Sequence, residues 1–135
     1  MSGPTLVDTN VLIDYLDENS QWFDWSAAML ARAAENGVVV INPIIYAEVA
    51  VEFDTIDEVE DALPRDYFEY APLPKEAAFL AAKAFEQYKR RGGVKTSSLR
   101  DFFIGAHASV AGMTLLTRDA RRYRTYFPKL KIITP

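Results

Sequence analysis

Apolar and polar positions along the 135-residue chain follow two alternating rhythms. Short apolar, often β-branched runs lead into segments whose apolar residues recur every three or four positions. That is the pattern of buried strands feeding amphipathic helices. Thr5-Leu6-Val7-Asp8 predicts a strand ending in an acid, and Thr9 can cap the helix that follows, with Val11, Leu12, Tyr15 and Leu16 at helical spacing. Ser20 can cap a second helix with the stripe Trp22, Trp25, Met29 and Ala33, closed by Asn36-Gly37. Residues 38–41 are β-branched throughout and predict a strand buried on both faces. Pro43 opens a third helix in a favoured first-turn position. An acidic helix over 55–63 stops at Pro64, and a strand follows over 67–71. A long helix over 75–91 ends at Gly92-Gly93. The remainder predicts a helix over 98–111, a strand over 113–117, a helix over 119–126 and a strand over 130–134.

Strands thus alternate with helices, with no internal repeat, low-complexity tract or linker. The expected fold class is α/β: one domain over residues 1–135, a three-layer α/β/α arrangement around a parallel sheet of about five strands. A chain of this length can bury roughly two-thirds of its unfolded surface. Apolar residues make up 50% and charged residues 25%, which excludes wholesale disorder.

The absence of cysteine removes disulfides, thiolate catalysis and Cys-type zinc sites, and a single histidine cannot build a multi-His site. The first ten residues show no signal-peptide pattern, and the longest uncharged stretch, 102–117, is too short for a bilayer. A cytoplasmic protein with no membrane association is therefore expected. The net charge of −4 argues against a polyanionic partner, but its distribution does not. Residues 1–82 hold three basic and sixteen acidic side chains, a net −13, whereas residues 83–135 hold twelve basic and three acidic, a net +9. Such asymmetry suits a charged ligand or partner.

Four acids stand out by position. Asp8 and Asp119 lie at or just past the carboxyl ends of predicted strands, where open parallel sheets bind ligands. Each also has a plain reading as a helix-terminal acid. Glu48 lies in Ile44-Ile45-Tyr46-Ala47-Glu48-Val49-Ala50-Val51, a segment apolar nearly all round and so expected to be buried. No Lys or Arg lies between Arg32 and Arg65, so either a base distant in sequence or a cation must compensate Glu48. Asp101 completes a capping-box pattern with Ser98, yet it opens an apolar helix whose glycine and alanines permit close packing on the sheet. Two carboxylates ~4 Å apart repel by about 4 kcal/mol at an effective dielectric near 20. Four such acids on one rim call for a hard divalent cation, Mg²⁺ or Mn²⁺ rather than zinc. Metal-assisted phosphodiester hydrolysis uses such a donor set.

Asp8-Thr9-Asn10-Val11-Leu12-Ile13-Asp14-Tyr15-Leu16 resembles the opening motif of PIN-domain nucleases. Glu48 matches that family's second position, and Leu99-Arg100-Asp101-Phe102-Phe103-Ile104-Gly105-Ala106-His107-Ala108 resembles its third motif. Leu116-Thr117-Arg118-Asp119-Ala120-Arg121-Arg122-Tyr123 resembles the fourth. Any one motif is weak, but the four occur in order across essentially the whole chain. In length and layout the chain is similar to VapC-type toxins of toxin–antitoxin pairs. The resemblance implies a sheet of order 3-2-1-4-5 and Mg²⁺- or Mn²⁺-dependent endoribonuclease cleavage of RNA by metal-activated water. It implies Asp8, Glu48 and Asp101 as ligands of the principal metal, with Asp119 beside it or at a second one. Thr9 and Asn10 would fix Asp8 through hydrogen bonds, and Thr117 would line the site. A homodimer and a VapB-type antitoxin covering the groove are further implications. One departure is Arg100, where relatives often carry proline.

Other features have plainer readings. His107 stands about 120° off the face of Asp101 on a 3.6-residue helix, which favours packing over general-base work. Trp22, Trp25 and Met29 read as core or partner-groove residues rather than a base-stacking platform. Lys89, Arg90, Arg91 and Lys95 suit either a helix C-terminus or a grip on RNA phosphates. Arg118, Arg121, Arg122 and Arg124 surround Asp119 in sequence, and one or two of them are expected to face phosphates. A non-catalytic RNA- or protein-binding scaffold of the same fold is the main rival. An aspartyl phosphotransferase or receiver domain is the other, although Asp8-Thr9-Asn10 supplies neither paired acids nor an Asp-x-Asp nucleophile.

Overall fold

The computed structural model describes residues 3–93 and 99–135. Five strands, β1 (Thr5–Val7), β2 (Val39–Ile41), β3 (Phe68–Tyr70), β4 (Thr114–Leu116) and β5 (Ile132–Ile133), form one sheet of order β3-β2-β1-β4-β5. Every pairing is parallel. Seven helices among the described residues complete the α/β/α arrangement: α1 (Thr9–Tyr15), α2 (Phe23–Asn36), α3 (Pro43–Ala50), α4 (Ile56–Ala62), α5 (Lys75–Arg90), α6 (Leu99–Ala111) and α7 (Arg121–Tyr126). None is long and apolar enough to cross a membrane. Leu6, Val7, Leu115 and Leu116 are fully buried, because a central parallel strand is covered on both faces. At the edge, β3 buries only Phe68.

The strand order makes β1 the turning point of the sheet. From β1 the chain winds outward through β2 to β3, then crosses back to β4 on the other side of β1 and on to β5. The carboxyl ends of β1 and β4 therefore border the crevice where connections leave in opposite directions. Asp8 N–H donates to the Leu116 carbonyl at 2.9 Å, which closes the base of that crevice.

Several local expectations need correction. Asp8, not Thr9, caps α1: its side chain accepts from Thr9 N–H, and Thr9 is the first helical residue. Ser20 does not cap α2, whose cap position is Trp22; Ser20 closes the preceding turn by accepting from Trp22 N–H and donates its hydroxyl to Asp14. Pro43 opens α3 as expected, but the cap is Asn42, whose Oδ1 accepts from Ile45 N–H at 2.9 Å. α3 buries only Ile45 and Val49, so it is a one-sided helix despite its apolar composition. α7 starts at Arg121, which leaves Asp119 in the approach to the helix rather than within it. Ser98, and with it the proposed capping partner of Asp101, lies outside the described residues.

Two glycines answer a packing need. At Gly37 a Cβ would lie 2.2 Å from the Gly3 carbonyl oxygen, where the start of the chain crosses the end of α2. At Gly105 a Cβ would lie 2.5 Å from the Phe127 ring and 3.0 Å from Tyr123. The close approach at Gly105 is thus to side chains at α7, not to the sheet.

Candidate active site

Asp8 sits at the carboxyl end of β1, only 6% exposed. Its Oδ1 accepts from Thr9 N–H at 2.8 Å. Its Oδ2 accepts from the Thr117 hydroxyl at 2.7 Å and the Tyr123 hydroxyl at 3.0 Å. Burial pushes this carboxyl up to about 6 from an ordinary 3.8. The hydrogen bonds from Thr117, Tyr123 and Thr9 work against that shift, while the negative charge of Asp101 adds to it. The same surroundings act on Tyr123 in the same direction, favouring the protonated form. Burial, followed by the charges of Asp8 and Asp101, raises its phenol well above 10, so Tyr123 stays a hydrogen-bond donor.

Glu48 projects from α3, with Oε1 accepting from the Thr9 hydroxyl at 2.6 Å. Its Oε2 pairs with Arg100 Nε at 3.0 Å. A base distant in sequence, Arg100, does reach Glu48. Asp101, in the first turn of α6, pairs with Arg122 Nη1 at 3.0 Å. Asp119 follows β4 and is exposed; its Oδ1 accepts from Arg121 N–H at 3.4 Å. All four carboxylates line one cavity of about 690 Å³ at the turning point of the sheet. Among the described residues, no three acidic or histidine side chains stand close enough to hold an ion as placed. Two of the four are instead drawn onto arginines.

The supporting residues act differently from their expected roles. Thr9 holds Asp8 through its backbone, while its side chain holds Glu48. The Asn10 side chain hydrogen-bonds elsewhere than Asp8: its Nδ2 donates to Thr117 Oγ1 at 3.4 Å and its Oδ1 accepts from Arg118 N–H at 3.1 Å. Thr117 is fully buried beneath Asp8 rather than lining the cavity. Arg118, expected at RNA, is turned inward. Its guanidinium pairs with the buried Asp14 and lies 5.5 Å over the Trp22 ring. Asp14 also accepts from the Ser20 and Ser26 hydroxyls, at 3.0 and 3.2 Å. Lys89 lies over Phe85 and Arg90 pairs with Glu86, both away from the cavity, whereas Arg91 lies over Tyr126 on its wall. Lys95 falls outside the described residues.

Trp25 and Met29 pack against the core, and the half-buried Trp22 meets Trp25 edge-on at 6.3 Å. His107 is buried and its ring is shifted below the usual imidazole range by desolvation. Because Asn42 Oδ1 accepts from Ile45 N–H, the Asn42 amide nitrogen faces His107 Nδ1 at 3.1 Å, which places the imidazole proton on Nε2. This contact ties α6 to the cap of α3, the helix that carries Glu48. Tyr123, Tyr88 and Tyr126 escaped the sequence reading. The only sequence signal for Tyr123 was its place at the end of the fourth motif.

The profile of the PIN domain family matches residues 5–128. The chain belongs to the PIN-domain family. No curated protein sequence matches it. Among solved structures it is similar to VapBC2 from Rickettsia felis bound to a DNA fragment from their promoter, at TM-score 0.74 and 17% identity over 98% of each chain. VapBC-1 from nontypeable Haemophilus influenzae is similar at TM-score 0.73 and 18% identity, again over 98% of each chain. VapC20 from Mycobacterium tuberculosis, described as a Sarcin-Ricin loop cleaving toxin, is similar at TM-score 0.65 and 13% identity, over 90% of this chain and 94% of that one. At such identities the likeness is one of fold, and the PIN sheet order is the one found here.

Proposed function

We propose that this PIN domain is a Mg²⁺- or Mn²⁺-dependent endoribonuclease and the toxin of a VapBC-type pair. One observation carries the reading. Four carboxylates, two from helices α3 and α6 and two from the segments that follow β1 and β4, line a single cavity at the turning point of the sheet. The charge of Asp101 still raises the Asp8 carboxyl despite the arginines, and the all-oxygen donor set fits a hard cation. Asp8, Glu48 and Asp101 would hold the principal ion, with Asp119 beside it or at a second one. A bound divalent cation would supply an acidified water and positive charge against the scissile phosphate.

The protein's own groups do the remaining work. Thr117 and Tyr123 direct Asp8 Oδ2, Thr9 directs Glu48, and Arg121 and Arg122 stand on the cavity wall where phosphate oxygens would lie. Arg100 and Arg122 hold Glu48 and Asp101 in place and give way to the cation. The solved VapBC structures support a VapB-type antitoxin partner, and a homodimer in the cytoplasm is part of the same proposal. RNA incubated with purified protein and Mg²⁺ or Mn²⁺ should be cut, and Asp8→Asn or Asp101→Asn should abolish cutting. Equal rates for parent and variants would refute the site.

A second reading, a non-catalytic scaffold that binds RNA or protein, is favoured by one observation: Glu48 and Asp101 are already neutralised by arginines. Calorimetric titration with Mn²⁺ separates the two, because a scaffold of this kind takes up no ion.

A further inference from the structure

Among the described residues three donors reach the Asp8 carboxylate, and its two oxygens share them unequally. Oδ2 accepts from the Thr117 hydroxyl at 2.7 Å and from the Tyr123 hydroxyl at 3.0 Å, while Oδ1 accepts from Thr9 N–H at 2.8 Å. An ionised carboxylate offers about four lone-pair positions, two on each oxygen. Both positions on Oδ2 are therefore taken, and one on Oδ1 is left for a cation. The two hydroxyls are also hard to move. Thr117 is fully buried and Tyr123 is only 3% exposed. The Tyr123 ring is seated against α6 at Gly105, where a Cβ would lie 3.0 Å from it. Burial and the neighbouring carboxylates keep the phenol protonated, so it stays a donor to Oδ2. Glu48 Oε2 is held differently, by Arg100, whose exposed side chain can swing into solvent.

The two hydroxyls lie on different sides of Asp8. Tyr123 lines the cavity shared by the four carboxylates, whereas Thr117 lies beneath Asp8 and does not. Divalent cations differ in what they ask of a carboxylate. Ca²⁺ takes about six to eight oxygens and readily accepts both oxygens of one carboxylate, whereas the smaller Mg²⁺ demands near-octahedral geometry. We propose that the Tyr123 hydroxyl, by occupying the cavity side of Asp8 Oδ2, confines Asp8 to one ligating oxygen and so selects a small octahedral cation over Ca²⁺. This rests on the divalent-cation reading of the site and deepens it, because it names the residue that sets which ion is held. Tyr123 acts through Asp8 and is a positioning residue. Asp8 is the carboxylate with least room to adjust, since its donors are buried, so discrimination between ions is set there.

The test needs no turnover. The EPR signal of free Mn²⁺ reports its binding and its displacement by Mg²⁺ or Ca²⁺, which gives the affinities of both competitors. The parent should bind Mg²⁺ more tightly than Ca²⁺. Tyr123→Phe keeps the ring and opens the cavity side of Oδ2, so Ca²⁺ should gain on Mg²⁺ by about tenfold, the lower end of what loss of a ligand's hydrogen-bond partner does to metal affinity. The ratio is the readout because proton competition at Asp8, or a general loosening of the site, weakens both ions alike and cancels. Thr117→Val removes the donor on the far side of Asp8, so both affinities should move together and the ratio should stay that of the parent. A Tyr123→Phe ratio equal to the parent's, a shift as large in Thr117→Val, or a parent indifferent to the two ions overturns the inference while leaving the cation site intact. A parent that binds no Mn²⁺ overturns both.

Discussion

Asp8→Asn should make the cation-free protein more stable at neutral pH, although it removes the side chain at the centre of the site. Asp8 titrates at about 6 instead of 3.8, chiefly because burial penalises its charge. At about 1.4 kcal/mol per pH unit, that displacement corresponds to about 3 kcal/mol of destabilisation by the ionised form. The folded value is raised, so the favourable contribution of the protonated carboxyl is complete below 3.8 and is lost as pH rises through about 6. Asparagine carries no charge, keeps an oxygen for Thr9 N–H, and turns an amide toward two hydroxyls that can rotate to accept. One imperfect hydrogen bond costs about 1 kcal/mol, which leaves a net gain of about 2 kcal/mol above pH 7. For a domain of this size that is roughly 5–10 °C in Tm. Urea unfolding of parent and variant in chelator, from pH 4 to 8, reads the effect directly. The two should converge near pH 4 and separate as pH rises through 6. Saturating Mg²⁺ should reverse the order by stabilising only the parent. Parallel pH profiles, or a variant less stable than the parent at pH 7.5 in chelator, would refute the reasoning.

Arg100→Ala removes an exposed competitor for Glu48, and such pairs are worth about 0.2–1 kcal/mol. Calorimetry should therefore show Mn²⁺ binding up to about fivefold tighter, and weaker binding would make Arg100 a supporter of the site instead. Gly105→Ala drives a methyl into the Phe127 ring and against Tyr123, so unfolding experiments should show a loss of about 1–3 kcal/mol. A neutral result would mean α7 is free to move. The single imidazole should titrate below 6.5 by NMR, because burial disfavours its charge and Nδ1 accepts from Asn42. Its contribution to stability is then complete above 6.5 and is lost as pH falls through the folded value. A midpoint above 6.5 would contradict that packing. RNA affinity should fall steeply between 50 and 200 mM salt, since the cavity wall carries Arg121 and Arg122. A flat profile would remove the basic half of the chain from substrate binding.

The alternation of strands and helices was legible because it depends on near neighbours in sequence: side-chain period, prolines and glycines at element ends, β-branched runs. The four acids were legible for a related reason. Each breaks a local rule, by ending a buried strand or interrupting an apolar helix, and such breaks gather at functional sites. Even so, local reading went wrong at Thr9 and Ser20, where two candidate caps lay close together and the hydroxyls were claimed by Glu48 and Asp14.

Partnership was not legible. Tyr123 and Asp8 are 115 residues apart, and Arg118 and Asp14 are 104 apart. Nothing in composition said that Arg118 would turn inward while Arg122 stayed at the cavity, or that Arg100 would compensate Glu48. Those choices belong to the crossovers that set β4 beside β1 and bring α6 and α7 over the same crevice. The amino-acid sequence by itself therefore determined the elements, the α/β class and the choice of candidate ligands. Which hydroxyl holds which carboxylate and which arginines face the cavity were decided only by the tertiary structure. The physical reason is range: helix and strand signals act over a few residues, whereas desolvation and ion pairing depend on whatever the folded chain brings within a few ångströms.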